Sequence, residues 1–183
     1  MILYIKNMVG IRSKMAVKSE LEKLGIYEYF ISSGEIIVKE GISSEHRKKL
    51  KDALKISGFE LVDERKGLLF KKIKSIIVEL VHYSDTRCIK NFHGYLSKKL
   101  HHNYTWLDNL FLDIQNTTIE KFFCAHKIER AKELLVYSKL NLTQIAYQLN
   151  YDSVAQLSGQ FREVTGFSPS HFKKIRNLRH VAY

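Results

Sequence analysis

Six apolar residues in the second half of this 183-residue chain recur about fifty positions later. Leu96, Leu100, Leu107, Phe111, Ile114 and Phe122 have counterparts in Ile145, Leu149, Leu157, Phe161, Val164 and Phe172, at an offset of 49 for the first two pairs and 50 for the other four. A repeat of this length signals two copies of one supersecondary unit. Each copy reads as a helix ending near Leu100 or Leu149, a short turn, a second helix with an apolar i, i+4, i+7 set, and a polar stop at Asn116 or Gly166. That is the pattern of a helix-turn-helix, whose second helix can enter a DNA major groove. The one-residue change in offset falls inside the turn, between Leu100 and Leu107, where an insertion costs least.

Charge agrees with a polyanionic partner without locating it. Lys plus Arg number 30 against 19 for Asp plus Glu, a formal +11. Residues 1–84 hold 16 basic and 11 acidic side chains and residues 85–183 hold 14 and 8, so the excess is spread over both halves. Cys88 and Cys124 are too few for a disulfide framework and form no C-x-x-C pair. The start Met1-Ile2-Leu3-Tyr4-Ile5-Lys6-Asn7 has no signal-peptide pattern, and no run is long enough to cross a membrane, so a cytoplasmic protein with no membrane partner is expected.

Residues 1–63 alternate strand and helix patterns. Ile2 to Lys6 is β-rich, and Val17, Leu21 and Leu24 lie at helical spacing before Gly25. Tyr27 to Ser32 and Glu35 to Lys39 are β-rich runs separated by Ser33-Gly34, a hairpin signal. Ser43 or Ser44 caps a basic helix carrying Leu50, Leu54 and Ile56 that ends at Gly58, and Phe59 to Val62 is a last strand. This βαββαβ order is the ferredoxin-like arrangement. The expected fold class is therefore α+β: a ferredoxin-like domain over 1–66, a connecting helix over 67–88, and an all-α domain over 89–183 made of two helix-turn-helix motifs joined by a long helix. In the connecting helix, Leu69, Ile73, Ile76, Leu80 and Tyr83 form a 4-3-4-3 stripe, which Ile77 and Val81 widen. It reads either as the seam of a homodimer or as a face packed within its own chain.

Two resemblances follow from these residues. Asn7-Met8-Val9-Gly10-Ile11-Arg12-Ser13, with Val17 and Leu21 after it, resembles the loop and first helix of heavy-metal-associated domains. In that family the positions of Gly10 and Ser13 are cysteines that clamp a soft metal. Neither residue here offers a thiolate, so the resemblance implies the fold and no metal. From about Ile89 to Arg176 the chain resembles the DNA-binding domain of the AraC/XylS family of bacterial transcription regulators. The segments that carry this are Lys127-Ile128-Glu129-Arg130-Ala131-Lys132-Glu133-Leu134-Leu135, Leu142-Thr143-Gln144-Ile145-Ala146-Tyr147-Gln148-Leu149, and Phe161-Arg162-Glu163-Val164-Thr165-Gly166-Phe167-Ser168-Pro169-Ser170.

The second resemblance implies a sequence-specific regulator with promoter double-stranded DNA as partner, RNA polymerase as a further partner, and no cofactor. Its base-reading positions fall on Thr105, Asp108 and Asn109 in the first recognition helix, and on Val154, Ala155, Gln156, Ser158 and Gly159 in the second. None is arginine, the commonest reader of guanine, so an A·T-leaning site is expected, with Asn109 or Gln156 pairing to adenine. Lys121, Arg162, His171, Lys173, Lys174 and Arg176, near helix ends, are the expected phosphate contacts. The long helix beginning after Thr118 would set the separation of the two recognition helices. The family often adds a sugar-binding β-barrel, for which too few residues precede the repeat.

Two other readings are open. Ser170-His171-Phe172-Lys173 matches S-x-x-K, but the accompanying S-D-N and K-T-G signatures are missing, so no enzyme is expected. A metal-handling protein built on the N-terminal domain, or on His101, His102, His126 and Cys124, is the alternative function.

Overall fold

The computed structural model describes residues 1–8, 10–32, 34–82 and 91–180, the last five through their backbone alone. Ser33, Tyr83, Cys88, Ile89 and the side chain of Arg176 lie outside the described residues. Two compact units are formed, and neither is a single stretch of chain. One comprises Met1–Lys72 and Ser97–Ile119; the other comprises the described parts of Ile73–Leu96 and Glu120–Tyr183.

In the first unit the elements run β1 (Ile2–Lys6), α1 (Ile11–Lys23), β2 (Tyr29–Ile31), β3 (Glu35–Val38), α2 (Ser44–Ile56) and β4 (Glu60–Leu61). The sheet is antiparallel throughout in the order β2-β3-β1-β4, with Leu3 opposite Ile36, Ile5 opposite Leu61 and Ile31 opposite Ile36. Strand alternation sends Leu3, Ile5, Ile36 and Val38 to one face, where they bury Val17 and Leu21 of α1 and Leu50 and Leu54 of α2. Both helices end the same way. Gly25 and Gly58 take φ of 73° and 81°, and the amides of Ile26 and Phe59 reach back to the carbonyls of Leu21 and Leu54. Those bonds satisfy orphan carbonyls and return an apolar residue to the core. β2 is shorter than the Tyr27 to Ser32 run anticipated, although the Glu28 carbonyl and the Ser32 amide still pair with Lys39 and Glu35.

The other face of the sheet is covered from farther along the chain. α3 (Glu64–His82) begins three residues before the anticipated start at 67, because the Asp63 carboxylate accepts the Lys66 N–H at 2.9 Å. Gly67 lies against Tyr4, where a Cβ would stand 2.6 Å from a ring carbon. Phe70 then packs edge-on to Tyr4, with ring centroids 5.1 Å apart, and against Phe111 of α5 (Tyr104–Gln115) at 5.0 Å. Phe70 and Phe111 are fully buried.

The second unit is helical over its described residues. It holds the remainder of α3, most of α4 (Phe92–Leu100), α6 (Ile119–Tyr137) from Glu120 onward, α7 (Leu142–Gln148), α8 (Val154–Thr165) and α9 (Pro169–His180). Ile128, Ala131, Leu134 and Leu135 of α6 share a core with Ile145, Ala146 and Leu149 of α7 and Leu157 and Phe161 of α8. Ala146 is 3% exposed, leaving no room for a larger side chain there. Ile73, Ile76, Ile77, Leu80 and Val81 of α3 are all buried within the single chain. These five positions are therefore packed within their own chain, and Leu69 is half-buried.

Removing an aromatic ring from a fully buried site costs about 3–5 kcal/mol. Phe70→Ala is expected to lower the stability of the first unit by about that amount, read by denaturant titration of Trp106, the sole tryptophan.

Candidate nucleic-acid interface

The two halves of the repeat make their turns by the same backbone device. α4 ends at Leu100, His101 takes φ 55°, and the His102 amide bonds the Ser97 carbonyl at 3.2 Å. After α7, Asn150 takes φ 56° and the Tyr151 amide bonds the Ala146 carbonyl at 2.9 Å. Each pair is offset by 49. The next matched residues are the caps of the second helices: Asn103 accepts from the Thr105 amide, and Ser153 from the Gln156 amide. Their offset is 50, so the inserted residue is Asp152. Its amide, left over by the insertion, is bound by the Gln156 side-chain oxygen at 2.9 Å. The second helices stop at Asn116 and Gly166, both in the left-handed region.

Sequence-predicted base readers divide between the two units. In the first, Thr105 and Asn109 stand exposed one turn apart on α5. Asp108 is half-buried, and its Oδ1 accepts the Ile119 N–H at 2.7 Å, capping the start of α6. A carboxylate is favoured there by the orphan amides and by the helix dipole. The matching pair in the second copy is Ser158 and Pro169. Proline has no N–H to satisfy, so no carboxylate is needed.

In the second unit, Ala155, Gly159 and Arg162 form an exposed stripe along α8, with Gln156 beside it and Ser158 half-buried. Val154 packs partly into the core. A Cβ at Gly159 would meet nothing within 4 Å. The chain's own packing therefore gives no reason for a glycine in the middle of this helix. Among the expected phosphate contacts, Lys121, Arg162, His171 and Lys174 are exposed and Lys173 is half-buried. The His171 amide is held by Ser168 at 3.3 Å and its ring lies on Phe167.

Two residues not singled out from sequence bear on this surface. Trp106 is 39% exposed on α5 and stacks on His102, with ring centroids 4.6 Å apart. The offset of 50 places it on Gln156, so the repeat itself marks the position. Lys127 of α6 acts from behind. Its Nζ lies 3.3 Å from the Asn150 carbonyl and 3.7 Å from the centre of the Tyr151 ring, tying α6 to the turn ahead of α8. Burial pushes this ammonium down to about 8, and pushes the Cys124 thiol and the Tyr151 hydroxyl up.

The proposed metal-type residues are otherwise engaged. Ser13 Oγ accepts the Gly10 N–H and donates to the Gly10 carbonyl, both at 2.9 Å, closing the first turn of α1. Cys124 Sγ donates to Gln160 Oε1, and the His126 ring packs on Phe122. Among the described residues no three metal-ligand side chains converge.

Residues 96–175 match the family described as a helix-turn-helix domain. The match spans both copies of the repeat. Solved structures give the same fold. The C-terminal domain of AraT, a response regulator from Geobacillus stearothermophilus, is 19% identical, with 59% of this chain and 85% of that one covered at a TM-score of 0.53. The DNA-binding domain of the global transcriptional factor AdpA, solved with a target DNA, is 17% identical, with 60% and 94% covered and a TM-score of 0.53. A transcriptional regulator from Chromobacterium violaceum, described by its AraC-type DNA-binding domain, is 15% identical, with 62% and 96% covered and a TM-score of 0.52. No curated protein sequence matches the chain.

Two measurements check these roles. Asp108→Ala is expected to cost about 1 kcal/mol of stability, as loss of a helix cap does, in thermal or denaturant unfolding. The lowered Lys127 pKa means that the folded state gives up that proton first as pH rises. Stability from this group therefore rises with pH between about 8 and the unfolded value of 10.5. Cys124, raised in the fold, opposes the rise in the same window. In a Cys124→Ala background, stability should climb by about 1 kcal/mol per pH unit between roughly 8 and 10, and adding Lys127→Met should flatten the slope.

Proposed function

We propose that this protein is a sequence-specific, double-stranded DNA-binding transcription regulator of the AraC type, reading DNA with α5 and α8. The observation that carries the reading is the duplicated helix-turn-helix, whose second helices each turn a small or polar exposed face outward. On α8 that face is Ala155, Gln156 and Gly159, with Arg162 one turn on. Helices of this kind, placed in successive major-groove segments about one turn apart, can read base edges while lysines and arginines hold the backbone. The likeness to the AdpA domain, solved on a target DNA, supports the same assignment.

Individual roles follow from chemistry. Asn109 and Gln156 are suited to adenine, Ala155 to a thymine methyl, and Trp106 to a methyl or deoxyribose face. Asp108 serves α6 rather than a base. Lys121, Arg162, His171, Lys173, Lys174 and Arg176 take phosphates. Gly159 permits close approach of the duplex: a mid-helix glycine costs about 1 kcal/mol relative to alanine, with no packing within the chain to offset it. For residues 1–66 we infer a ferredoxin-like domain related to heavy-metal-associated modules. The βαββαβ order and the strand order β2-β3-β1-β4 support that reading. The hydroxyl of Ser13, committed to its own helix cap, gives no support to a metal site.

The test is binding of the full chain to its own upstream DNA and to random DNA of equal length across a salt series. Preference for the upstream fragment that survives moderate salt is expected. Equal affinities that fall together with salt would leave only the electrostatic contribution and sink the reading. Gly159→Ala should raise unfolding stability by about 1 kcal/mol while weakening specific binding several-fold; a stabilised variant with unchanged binding would remove the close-approach role. Gln156→Ala should lose about 1–3 kcal/mol of discrimination at one base pair, seen in a base-substitution scan.

A further inference from the structure

The C-terminal end of α5 is gripped by one end of the sheet, where β1 stops and the β2–β3 turn lies. Lys6, the last residue of β1, places Nζ 3.1 Å from Asp113 Oδ2 and 3.3 Å from Glu60 Oε2. Burial alone would lower the charge affinity of this ammonium, but the Asp113 and Glu60 carboxylates hold its pKa above the ordinary range. Asn7, in the left-handed region at φ 66°, donates its N–H to the Asp113 carbonyl at 3.4 Å. Gly34, at φ 73°, backs onto Ile114 so closely that a Cβ would stand 3.0 Å from the Ile114 side chain and nearer still to its carbonyl oxygen. Phe111, one turn earlier, is the residue seated on Phe70.

These contacts fall where a helix has unmet needs. The last carbonyls of α5 lack partners within the helix, and a cation is favoured beside them. Among the described residues the second copy of the repeat shows no equivalent grip. Val164, the counterpart of Ile114, is 45% exposed, whereas Ile114 is fully buried.

We propose that Lys6, Asn7 and Gly34 are positioning residues for the first recognition helix, so that the N-terminal sheet sets the seat from which Thr105, Trp106 and Asn109 meet DNA. The consequence for DNA rests on the function proposed above; the seating itself does not. Base discrimination in the segment read by α5 then depends on the N-terminal domain, while that read by α8 does not depend on these three residues.

The test uses the full chain with Lys6→Met, Asp113→Asn, the double variant, and Gly34→Ala as a steric perturbation independent of charge. Hydrogen exchange in the free protein is read first, at the amides of residues 111–116. Each charge variant should speed exchange there about fivefold, the double variant no more than either single, and Gly34→Ala should act in the same direction. Amides of β3 should keep their rates. The base-substitution scan is read second: discrimination should drop in the segment read by α5 and persist in that read by α8. Unchanged exchange at 111–116, additive singles, or equal loss in both DNA segments would overturn the proposal. If the wild type shows no sequence preference at all, the DNA-binding reading fails, and the exchange result alone decides whether the sheet seats α5.

Discussion

The ring of Phe70 is buried between Tyr4, on the outer face of the sheet, and Phe111, on the inner side of α5. An antiparallel sheet of four short strands, one only two residues long, buries one face under α1 and α2 and would leave the other wet. Phe70 changes that. By carrying the chain back across Tyr4, it makes the second face a seat for a helix that arrives more than thirty residues later. Gly67 allows the approach, because any side chain there would displace Tyr4. Aromatic pairs at about 5 Å add to the area they bury, so this small cluster supplies much of what joins sheet and helix.

The two copies of the repeat keep the same buried ring, Phe111 and Phe161, and differ elsewhere. Their turns are alike to the level of single hydrogen bonds, because a helix that must reverse into another within a few residues has few ways to satisfy its last carbonyls. His101 and Asn150 bear the left-handed conformation without glycine, and each is followed by the same reach-back bond. The divergence lies at the far ends of the second helices. Ile114 is covered and Val164 is open; Asp108 caps the Ile119 amide, while the counterpart of Ile119 is Pro169, which has none. Each copy has been fitted to what surrounds it.

Much of this was legible in the residues. Periodicity gave the helices and the repeat, Ser43 or Ser44 the cap of α2, and Gly25, Gly58, Asn116 and Gly166 the stops, because each of these rests on local chemistry within one or two turns. The positions on α8 came from the family resemblance, and one of them, Val154, packs partly into the core. Trp106 could have been found by applying the offset of 50 to Gln156. Asp108 could not be assigned correctly from its place in the helix, since its partner, the Ile119 amide, is three turns away and belongs to another element. Lys127 was visible only as part of a motif. Its work depends on Tyr151 and Asn150 lying above it in the folded unit.

The sequence by itself determined the alphabet of this protein: where helices start and stop, which faces are apolar, that one helical unit occurs twice, and that positive charge prevails. These follow from local backbone preferences and from the period of apolar side chains, which act over a few residues. Tertiary structure alone decided that the two copies are not equivalent. It buried Ile73, Ile76, Ile77, Leu80 and Val81 of α3 within one chain and gave α5 to the unit that holds the sheet. It also set Lys6 and Gly34 against residues about eighty to a hundred positions away. Those outcomes depend on which apolar faces find one another, and no local pattern encodes the partner of a buried face.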